Sequence, residues 1–523
     1  MTRGLGGVAP NSRVPALLAA STVGVYLLIL AGVTNVLAHA ASACPAWPAC
    51  GGLLFASRDP RLLVVLGHRL TALLVAGLLL VTAVAARRAG LERRVQAAVA
   101  ASILLYPVEV WIGAATALSG GSTALSAVHL LVAMAIFTGL LLALLWQLES
   151  ETPADDPPAA GASVDAPAPP VAGDAPVASA AGDAPVASAA GDATVISAAG
   201  DATLAPAEGA PAASSADDAP ATSSAEDAPT APAPAGIRAR AWAYFQLTKP
   251  KLWWLLSLVA VAGMVLAAGG LPPIRTFLGT LAGGVLAIGA SGTFNHVIER
   301  DVDRRMARTA DRPVAKARIP PRRAVAFGVL LAVASVAVFL ATTNVLSAVL
   351  GLVAILFYSV VYTVILKPNT TQNTVIGGAV GAFPALIGWA AVTNAVGVPA
   401  VVLGTVIFLW TPAHFYSLAI VLEEDYARGG FPMLPVVRGE AVTRRHILGY
   451  LGATMLGAVL LATTTALDWL YGAVAVSLGA VFLWAVLRLY RERTDRAAFR
   501  AFMASNAYLG LLLIAIVADT MLV

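Results

Sequence analysis

Three oxygen-bearing side chains recur at every fourth position where an apolar stretch gives way to polar residues: Asn295, Glu299 and Asp303. Residues four apart lie on one face of a helix, so these side chains are predicted to point the same way. Amide and carboxylate oxygens are the ligands that Mg²⁺ prefers. The spacing therefore predicts a magnesium site at the end of a helix.

Basic side chains surround this motif and suit an anionic ligand. Arginine binds phosphate oxygens through forked hydrogen bonds, whereas lysine acts as a point charge. A solvated basic loop at a membrane surface is the alternative for the arginines alone. The helical spacing of the acids favours a magnesium–diphosphate site for the whole group. The candidates for binding the diphosphate are Lys249, Arg300, Arg308, Arg312, Lys367 and Arg428.

A second polar cluster lies at the end of a later apolar stretch. It contains His414 and the acidic run Glu423–Asp425, in which Glu424 and Asp425 are candidate Mg²⁺ ligands. Two acidic clusters on one side of a membrane could hold Mg²⁺ ions around a diphosphate and assist its departure. The alternative for the acidic run alone is a solvated loop. His414 is interpreted as a loop histidine that could orient a second substrate.

Composition places these motifs in a polytopic membrane protein. The 523 residues are 59% hydrophobic and 12% charged, and the mean hydropathy is +0.81. Apolar runs close to the ~20 residues that a bilayer requires predict an all-α protein with about 13 transmembrane helices. Four runs lie near 14–38, 61–86, 96–118 and 124–147, and nine lie near 252–270, 274–295, 323–342, 345–366, 374–394, 397–421, 446–466, 469–488 and 499–521.

A segment rich in Ala, Pro, Asp and Ser separates the two groups of helices and predicts three regions: a four-helix module (1–149), a disordered acidic tether (150–237) and a nine-helix domain (238–523). The tether shows near-repeats of period nine but no regular apolar stripe, so a β-solenoid is a weak alternative.

The charges are divided unevenly between the tether and the membrane helices. Residues 151–237 hold 13 acids and no Lys or Arg, so the rest of the chain has 33 basic against 16 acidic residues, a net charge of +17. Basic loops between spans indicate orientation and anionic substrates, not nucleic acid. They predict a plasma-membrane protein with its N-terminus and tether in the cytoplasm and its C-terminus outside.

Two histidines in the first group of helices could bind a metal. His68 and His129 lie at matching depth in the second and fourth predicted helices. Two imidazoles at one depth in a bundle can ligate a heme iron from both sides, whereas the alternative is a pair of hydrogen-bonded core histidines. Cys44 and Cys50 fall in a predicted external loop, which permits a disulfide but equally two free thiols.

The nine-helix region resembles heme O synthases, the protoheme IX farnesyltransferases, which are UbiA-type intramembrane prenyltransferases. The resemblance implies a UbiA-type fold and transfer of a farnesyl group from farnesyl diphosphate to a vinyl group of heme B. Two positions depart from the family: Glu299 replaces an Asp, and Pro368 follows Lys367 where an Arg is favoured. The motifs that carry the resemblance are Asn295-xxx-Glu299-xxx-Asp303, Met306–Thr309, Arg312-Pro313, Leu247–Lys251, Gln372–Gly378, Trp410–Phe415 and Asp425–Gly439.

The four-helix region resembles one half of heme A synthase. The order Cys-Pro-x-Trp-Pro-x-Cys-Gly-Gly, Gly67-His68-Arg69 and His129 carries this resemblance. It implies an external Cys44–Cys50 disulfide and heme ligation by His68 and His129. Val65 stands where that family usually has a carboxylate, so we expect a module that binds or delivers heme instead of oxidising it.

Together these features predict a heme O synthase joined to a heme-binding module. Mg²⁺ is the expected cofactor, and heme B is expected as substrate and as a bound cofactor. Further expected partners are farnesyl diphosphate, the lipid bilayer, and a heme A synthase or terminal oxidase assembly. The alternatives are a prenyltransferase for a quinone or lipid acceptor and a non-enzymatic heme carrier. The expected catalytic residues are Asn295, Glu299, Asp303, Lys367 and Asp425.

Overall fold

The computed structural model of the chain describes residues 13–38, 40–44, 46–47, 50, 59–119, 123–150 and 236–522. Within these ranges 13 helices are long and apolar enough to cross a membrane, which confirms the predicted all-α polytopic architecture. The predicted tether lies almost entirely outside the described residues.

The first four spans form two helix pairs. α1 packs along α2, α3 packs along α4, and α1 also touches α4. Their bounds lie within three residues of the predicted ones. They are α1 (Val14–Leu37), α2 (Pro60–Arg88), α3 (Arg93–Leu118) and α4 (Thr123–Ser150).

The remaining nine spans include short helices and one π-helical segment, Phe357–Leu366, which continues α10. The other elements are α5 (Ile237–Leu247), α6 (Trp253–Ala268), α7 (Ile274–Ile298), α8 (Arg300–Asp303), α9 (Pro321–Thr342), α10 (Val345–Leu356), α11 (Lys367–Asn369), α12 (Asn373–Gly377), α13 (Ala379–Thr393), α14 (Val398–Val421), α15 (Glu423–Gly429), α16 (Leu434–Thr464), α17 (Trp469–Glu492) and α18 (Asp495–Leu522).

The start of α16 differs most from the sequence prediction. Helical residues begin at Leu434, not near residue 446, and a kink at Gly439 (φ 77°, ψ 165°) separates the first turn from the long helix; the polar residues before 446 hide both from the apolar signal. Arg444 is 1% exposed and donates to Glu440 Oε2 at 2.8 Å, one turn earlier. An ion pair at this spacing supports a helix that hydropathy alone does not detect.

The two groups of spans share one apolar core. α1 packs against α17, and α4 packs against α16. Gly452 in α16 allows a close approach, because a Cβ there would overlap Leu141 Cδ2 of α4. Near the end of α4, Glu149 Oε1 accepts from Arg445 Nη1 at 2.8 Å. The N-terminal helices therefore pack directly on the nine-helix body.

We expect Gly452→Leu to destabilise the contact between the two groups of helices. Overpacking of a tight interface costs about 1–3 kcal/mol, so the melting temperature of the purified full-length protein should fall. Gly449→Leu is the matched control, because a Cβ at Gly449 meets nothing within 4 Å. Equal melting temperatures for the two variants would contradict a close contact at Gly452.

Candidate active site

The magnesium motif predicted from the sequence lies where α7 ends. Helical hydrogen bonds continue past the end of α7, from Glu299 N to Asn295 O at 2.9 Å and from Asp303 N to Glu299 O at 2.8 Å. Asn295, Glu299 and Asp303 are 1%, 5% and 1% exposed. The helical repeat thus places three buried oxygen-bearing side chains along one side of the chain.

Each oxygen donor is paired with a cation from another part of the chain. Lys249 Nζ lies 2.6 Å from Asn295 Oδ1, and Lys367 Nζ lies 2.6 Å from Glu299 Oε1. Arg312 Nη1 donates to both oxygens of Asp303, at 2.8 and 3.0 Å. It also lies 3.7 Å from Glu299 Oε2. Sequence reasoning selected these cations, and the structure brings all three to the motif.

The pKa values of the two carboxyl groups, just beyond the α7 span, are shifted in opposite directions. Burial would raise the pKa of Glu299, but Lys367, Lys249 and Arg312 lower it below its usual value. Burial raises the pKa of Asp303 above its usual value, although Arg312 opposes this shift. Glu299 is therefore held as a carboxylate more firmly than Asp303.

The second acidic cluster contributes one carboxylate to this region. Asp425 in α15 accepts from Ala307 N at 2.8 Å, so it meets the loop that follows Asp303. Asp425 Oδ1 also accepts from Arg428 Nη2 at 3.0 Å. Its Oδ2 is buried without a hydrogen-bond partner among the described residues. Glu424, by contrast, has a side chain 94% exposed and lies apart.

Two further arginines occupy different positions. Arg300 pairs through Nε with the exposed Asp301 at 2.9 Å, on the surface and away from the buried donors. Arg308 lies with its guanidinium carbon 6.0 Å from the centre of the Tyr426 ring. Arg308 is therefore next to the Asp425 cluster, whereas Arg300 is not brought to the site.

The interpretation of His414 as a loop histidine is wrong. It lies inside α14 and is 0% exposed. Its ring stacks between Trp410 and Phe502, at 4.3 and 4.5 Å. Its Nδ1 lies 2.8 Å from Ser505 Oγ. The surrounding aromatic rings enclose the imidazole, so it has no open face in this conformation.

The π-helical segment supplies two site residues that the sequence did not reveal. Thr363 Oγ1 accepts from Asn295 Nδ2 at 3.3 Å, and it donates to Tyr358 O, five residues earlier, at 2.8 Å. Tyr358 OH lies 3.3 Å from Lys249 Nζ. π-Helical turns are rare and concentrate at functional sites. This wider turn lets Tyr358 and Thr363 both support the Lys249–Asn295 pair.

An apolar cavity adjoins the buried polar groups, with about 730 Å³ of empty space that includes space open to the outside. Lys249 and Tyr358 line its polar end, and Lys249 also contacts Asn295. Elsewhere the wall is mainly apolar, with Leu256 and Phe383 among its members. A small residue, Gly284, also lines it, and a Cβ there would meet nothing within 4 Å. The lining is chemically suited to a hydrocarbon.

The N-terminal histidines lie inside the first four helices. His68 packs its ring against Gly32, and His129 packs its ring against Gly113. His129 Nδ1 lies 2.8 Å from Glu109 Oε1, a buried acid that the sequence interpretation overlooked. An acid isolated inside a span is itself a signal of function.

The two cysteines are joined in a disulfide. Arg69 lies beside it, with Nη1 3.1 Å from Cys44 Sγ and 3.6 Å from Cys50 Sγ. The bridge therefore lies next to the helix that carries His68.

Sequence comparison decides the family. A protoheme IX farnesyltransferase 1 from Natronomonas pharaonis is 52% identical over 97% of this chain and 98% of its own length. The chain belongs to the protoheme IX farnesyltransferases. Residues 256–509 also match the UbiA prenyltransferase family.

Two relatives of this farnesyltransferase chain differ in how much of it they cover. The Natronomonas protein aligns with both groups of helices. A protoheme IX farnesyltransferase 1 from Saccharopolyspora erythraea is 46% identical over 294 residues, which are 55% of this chain and 94% of its own length. Among solved structures, a UbiA homolog from Archaeoglobus fulgidus bound to DMAPP and Mg²⁺ aligns with 53% of this chain at 16% identity and a TM-score of 0.41.

We expect Thr363→Val to lower prenyl transfer about tenfold, as loss of a supporting hydrogen bond to a site ligand typically does. The change keeps the side-chain shape but removes the hydroxyl that holds Asn295 and the π-helical turn. Thr363→Ser keeps the hydroxyl and should retain most of the turnover. Steady-state rates of the two variants at saturating Mg²⁺ check this, and equal losses would show that the hydroxyl has no role.

Proposed function

We propose that the protein transfers a farnesyl group from farnesyl diphosphate to a vinyl group of heme B and releases pyrophosphate. One observation carries the proposal: a buried layer of carboxylates and cations lies at the polar end of an apolar cavity. A prenyl diphosphate has the same division between a charged head and a hydrocarbon tail. Membership of the protoheme IX farnesyltransferases indicates that the group accepting the farnesyl chain belongs to heme B.

The donor set fits Mg²⁺. Asn295, Glu299, Asp303 and Asp425 offer hard oxygen ligands, and Asp425 Oδ2 is a buried oxygen without a partner among the described residues. When bound, Mg²⁺ would neutralise charge on the diphosphate oxygens. Glu424 would join only if its exposed side chain turned inward.

In this structure, basic side chains form ion pairs with the carboxylates that would bind Mg²⁺. Among the described residues no three His, Cys, Asp or Glu side chains converge as a ready-made metal site. Lys367 and Arg312 instead neutralise Glu299 and Asp303. We propose that both cations turn to the diphosphate when it arrives, which frees the carboxylates and stabilises charge on the leaving group. Lys249, Arg308 and Arg428 lie within reach of the same region.

The proposed reaction consumes one water molecule in addition to the two substrates. The bond from the first farnesyl carbon to the diphosphate oxygen breaks, and the allylic carbon is attacked by the outer vinyl carbon of the heme. Water then adds to the inner vinyl carbon and loses a proton, which leaves a hydroxyalkyl arm. The apolar wall around Leu256 and Phe383 keeps water from the allylic cation before attack.

The catalytic part corresponds to residues 238–523 in this proposal. The Saccharopolyspora relative, which bears the same enzyme name, covers only 55% of this chain. The same scheme assigns the membrane orientation predicted from the basic loops, with the site on the cytoplasmic side.

The first four helices are proposed to bind heme through His68 and His129. The fit rests on three observations. His68 Nδ1 is buried without a hydrogen-bond partner in the described part of the chain. Both rings rest against glycines, where an added Cβ would crowd the imidazole. A buried carboxylate also lies beside the second imidazole, with Glu109 Oε1 2.8 Å from His129 Nδ1. Such a module could deliver heme to the catalytic helices or to a heme A synthase or oxidase assembly.

Mass analysis of extracted hemes tests the reaction. Purified full-length protein with heme B, farnesyl diphosphate and Mg²⁺ should yield a product heavier by one farnesyl group and one hydroxyl. EDTA should abolish it, and Asp303→Asn should reduce it about 10²-fold or more, because a carboxylate that would hold the Mg²⁺ at the leaving diphosphate is lost. Asp301→Asn is the matched control, since Asp301 is on the surface.

Prenylation of a quinone or a lipid glycerol in place of heme would overturn the proposed acceptor. Heme binding without any product, in wild type and with Asp303→Asn alike, would instead support a heme carrier.

We expect Gly284→Leu to shorten the isoprenoid that the cavity accepts. The added side chain would project into the cavity, so the preference for geranyl over farnesyl diphosphate should rise about tenfold or more. Gly284→Ala is the control and should change the preference little, since its methyl group meets nothing within 4 Å. Competition between the two diphosphates measures it, and an unchanged ratio in Gly284→Leu would place the hydrocarbon elsewhere.

A further inference from the structure

The first four helices contain two pairs in which a histidine on one helix rests against a glycine on the other. In the pair α1–α2, a Cβ on Gly32 would lie 3.2 Å from His68 Cε1. In the pair α3–α4, a Cβ on Gly113 would lie 2.9 Å from His129 Cε1 and 3.2 Å from its Nε2. Each histidine thus rests in a notch on the helix with which its own helix is paired.

The two histidines differ in what touches Nδ1. His129 Nδ1 lies 2.8 Å from Glu109 Oε1, and the Glu109 side chain is only 7% exposed. Its second oxygen, Oε2, is buried without a hydrogen-bond partner in the described ranges. Glu109 is also the one acid between the terminal turns of α1–α4. A carboxylate in such a position is expensive to bury and indicates a function.

His68 has no such carboxylate. Among the described residues no carboxylate oxygen lies within ion-pair distance of its Nδ1, whereas Glu109 Oε1 lies 2.8 Å from Nδ1 of His129. The adjacent Arg69 extends toward the disulfide and donates to Ala46 O at 3.1 Å. The two imidazoles therefore differ in one respect: a buried carboxylate lies beside Nδ1 of His129, and none among the described residues lies beside Nδ1 of His68.

We propose that Glu109 is a positioning residue that makes His129 the permanent ligand of a heme iron and leaves His68 as the exchangeable one. The inference rests on the proposed heme binding by the first four helices. A carboxylate that accepts from Nδ1–H keeps the lone pair on Nε2 and makes the imidazole a stronger ligand. Without that support, His68 binds the same iron more weakly.

This inequality has a consequence for delivery. A heme held equally from both sides must break two similar bonds before it leaves. A heme held firmly by His129 and loosely by His68 can open one face while it stays attached. That face can accept a ligand from the receiving site, so transfer proceeds by exchange of one ligand at a time.

Absorption spectra and heme-loss rates of the full-length protein test the proposal. The protein is loaded with heme B, and loss is followed by capture in excess apomyoglobin. His68→Ala should retain heme but change from a six-coordinate low-spin to a five-coordinate high-spin spectrum. His129→Ala and Glu109→Gln should each lose heme about tenfold faster than wild type, with Glu109→Gln still six-coordinate.

Three controls keep the test decisive. The double variant His68→Ala/His129→Ala measures heme held elsewhere in the protein, which is subtracted. Glu149→Gln, an acid at the other end of α4, should leave the spectrum and the loss rate unchanged. Melting temperatures without heme show which variants are folded.

Equal heme loss in His68→Ala and His129→Ala, or an unchanged loss rate in Glu109→Gln, would overturn the unequal roles and leave heme binding intact. A wild-type protein whose bound heme matches that of the double variant would instead overturn heme binding by the N-terminal helices, and this inference with it.

Discussion

The layer of ion pairs at the end of α7 is the constraint on which the catalytic half depends. Glu299 and Asp303 are buried, and a buried carboxylate without a cation would be strongly unfavourable. Their cations come from separate parts of the chain, with Lys367 at the end of the π-helical segment and Arg312 in the loop before α9. Lys249 adds a third cation, so positive charge exceeds negative charge among these five groups. The excess suits a diphosphate, which brings negative charge and can be accompanied by Mg²⁺.

In the proposed reaction, the position of this layer relative to the cavity decides which bond of the substrate breaks. Lys249 belongs to both, because it contacts Asn295 and lines the polar end of the apolar space. A prenyl diphosphate placed across that boundary has its scissile carbon–oxygen bond where charged groups end and hydrocarbon begins. In the proposed reaction, cations then stabilise the leaving group, while the allylic carbon lies against an apolar wall. Tyr358 and Thr363 hold this boundary in place from the π-helical segment.

Features set by local spacing were predictable from the sequence, whereas features set by packing were not. The four-residue repeat of Asn295, Glu299 and Asp303 survives because helical hydrogen bonds continue beyond α7. The 13 spans were recognisable from length and hydropathy alone. Spacing could not tell that Arg312 turns inward while Arg300 pairs with a surface acid. Thr363 lies in an apolar run, and only a change from the α- to the π-helical period brings it to Asn295. His414 lies within the predicted apolar run 397–421, so its helix was predictable, but its enclosure by Trp410 and Phe502 depends on packing that the sequence does not show.

Direct packing of the two groups of helices changes what the N-terminal histidines can do. A tether alone would only raise the local concentration of one module near the other. Here α4 lies against α16 through Gly452 and the Glu149–Arg445 pair, and α1 lies against α17. The N-terminal helices are therefore a fixed neighbour of the catalytic body. Since α16 also packs on α14, which precedes the Asp425 cluster, heme held in the first four helices would be separated from the reaction site by a continuous set of packed helices. Movement of heme between them would then follow the protein surface or the bilayer, and not a search through solution.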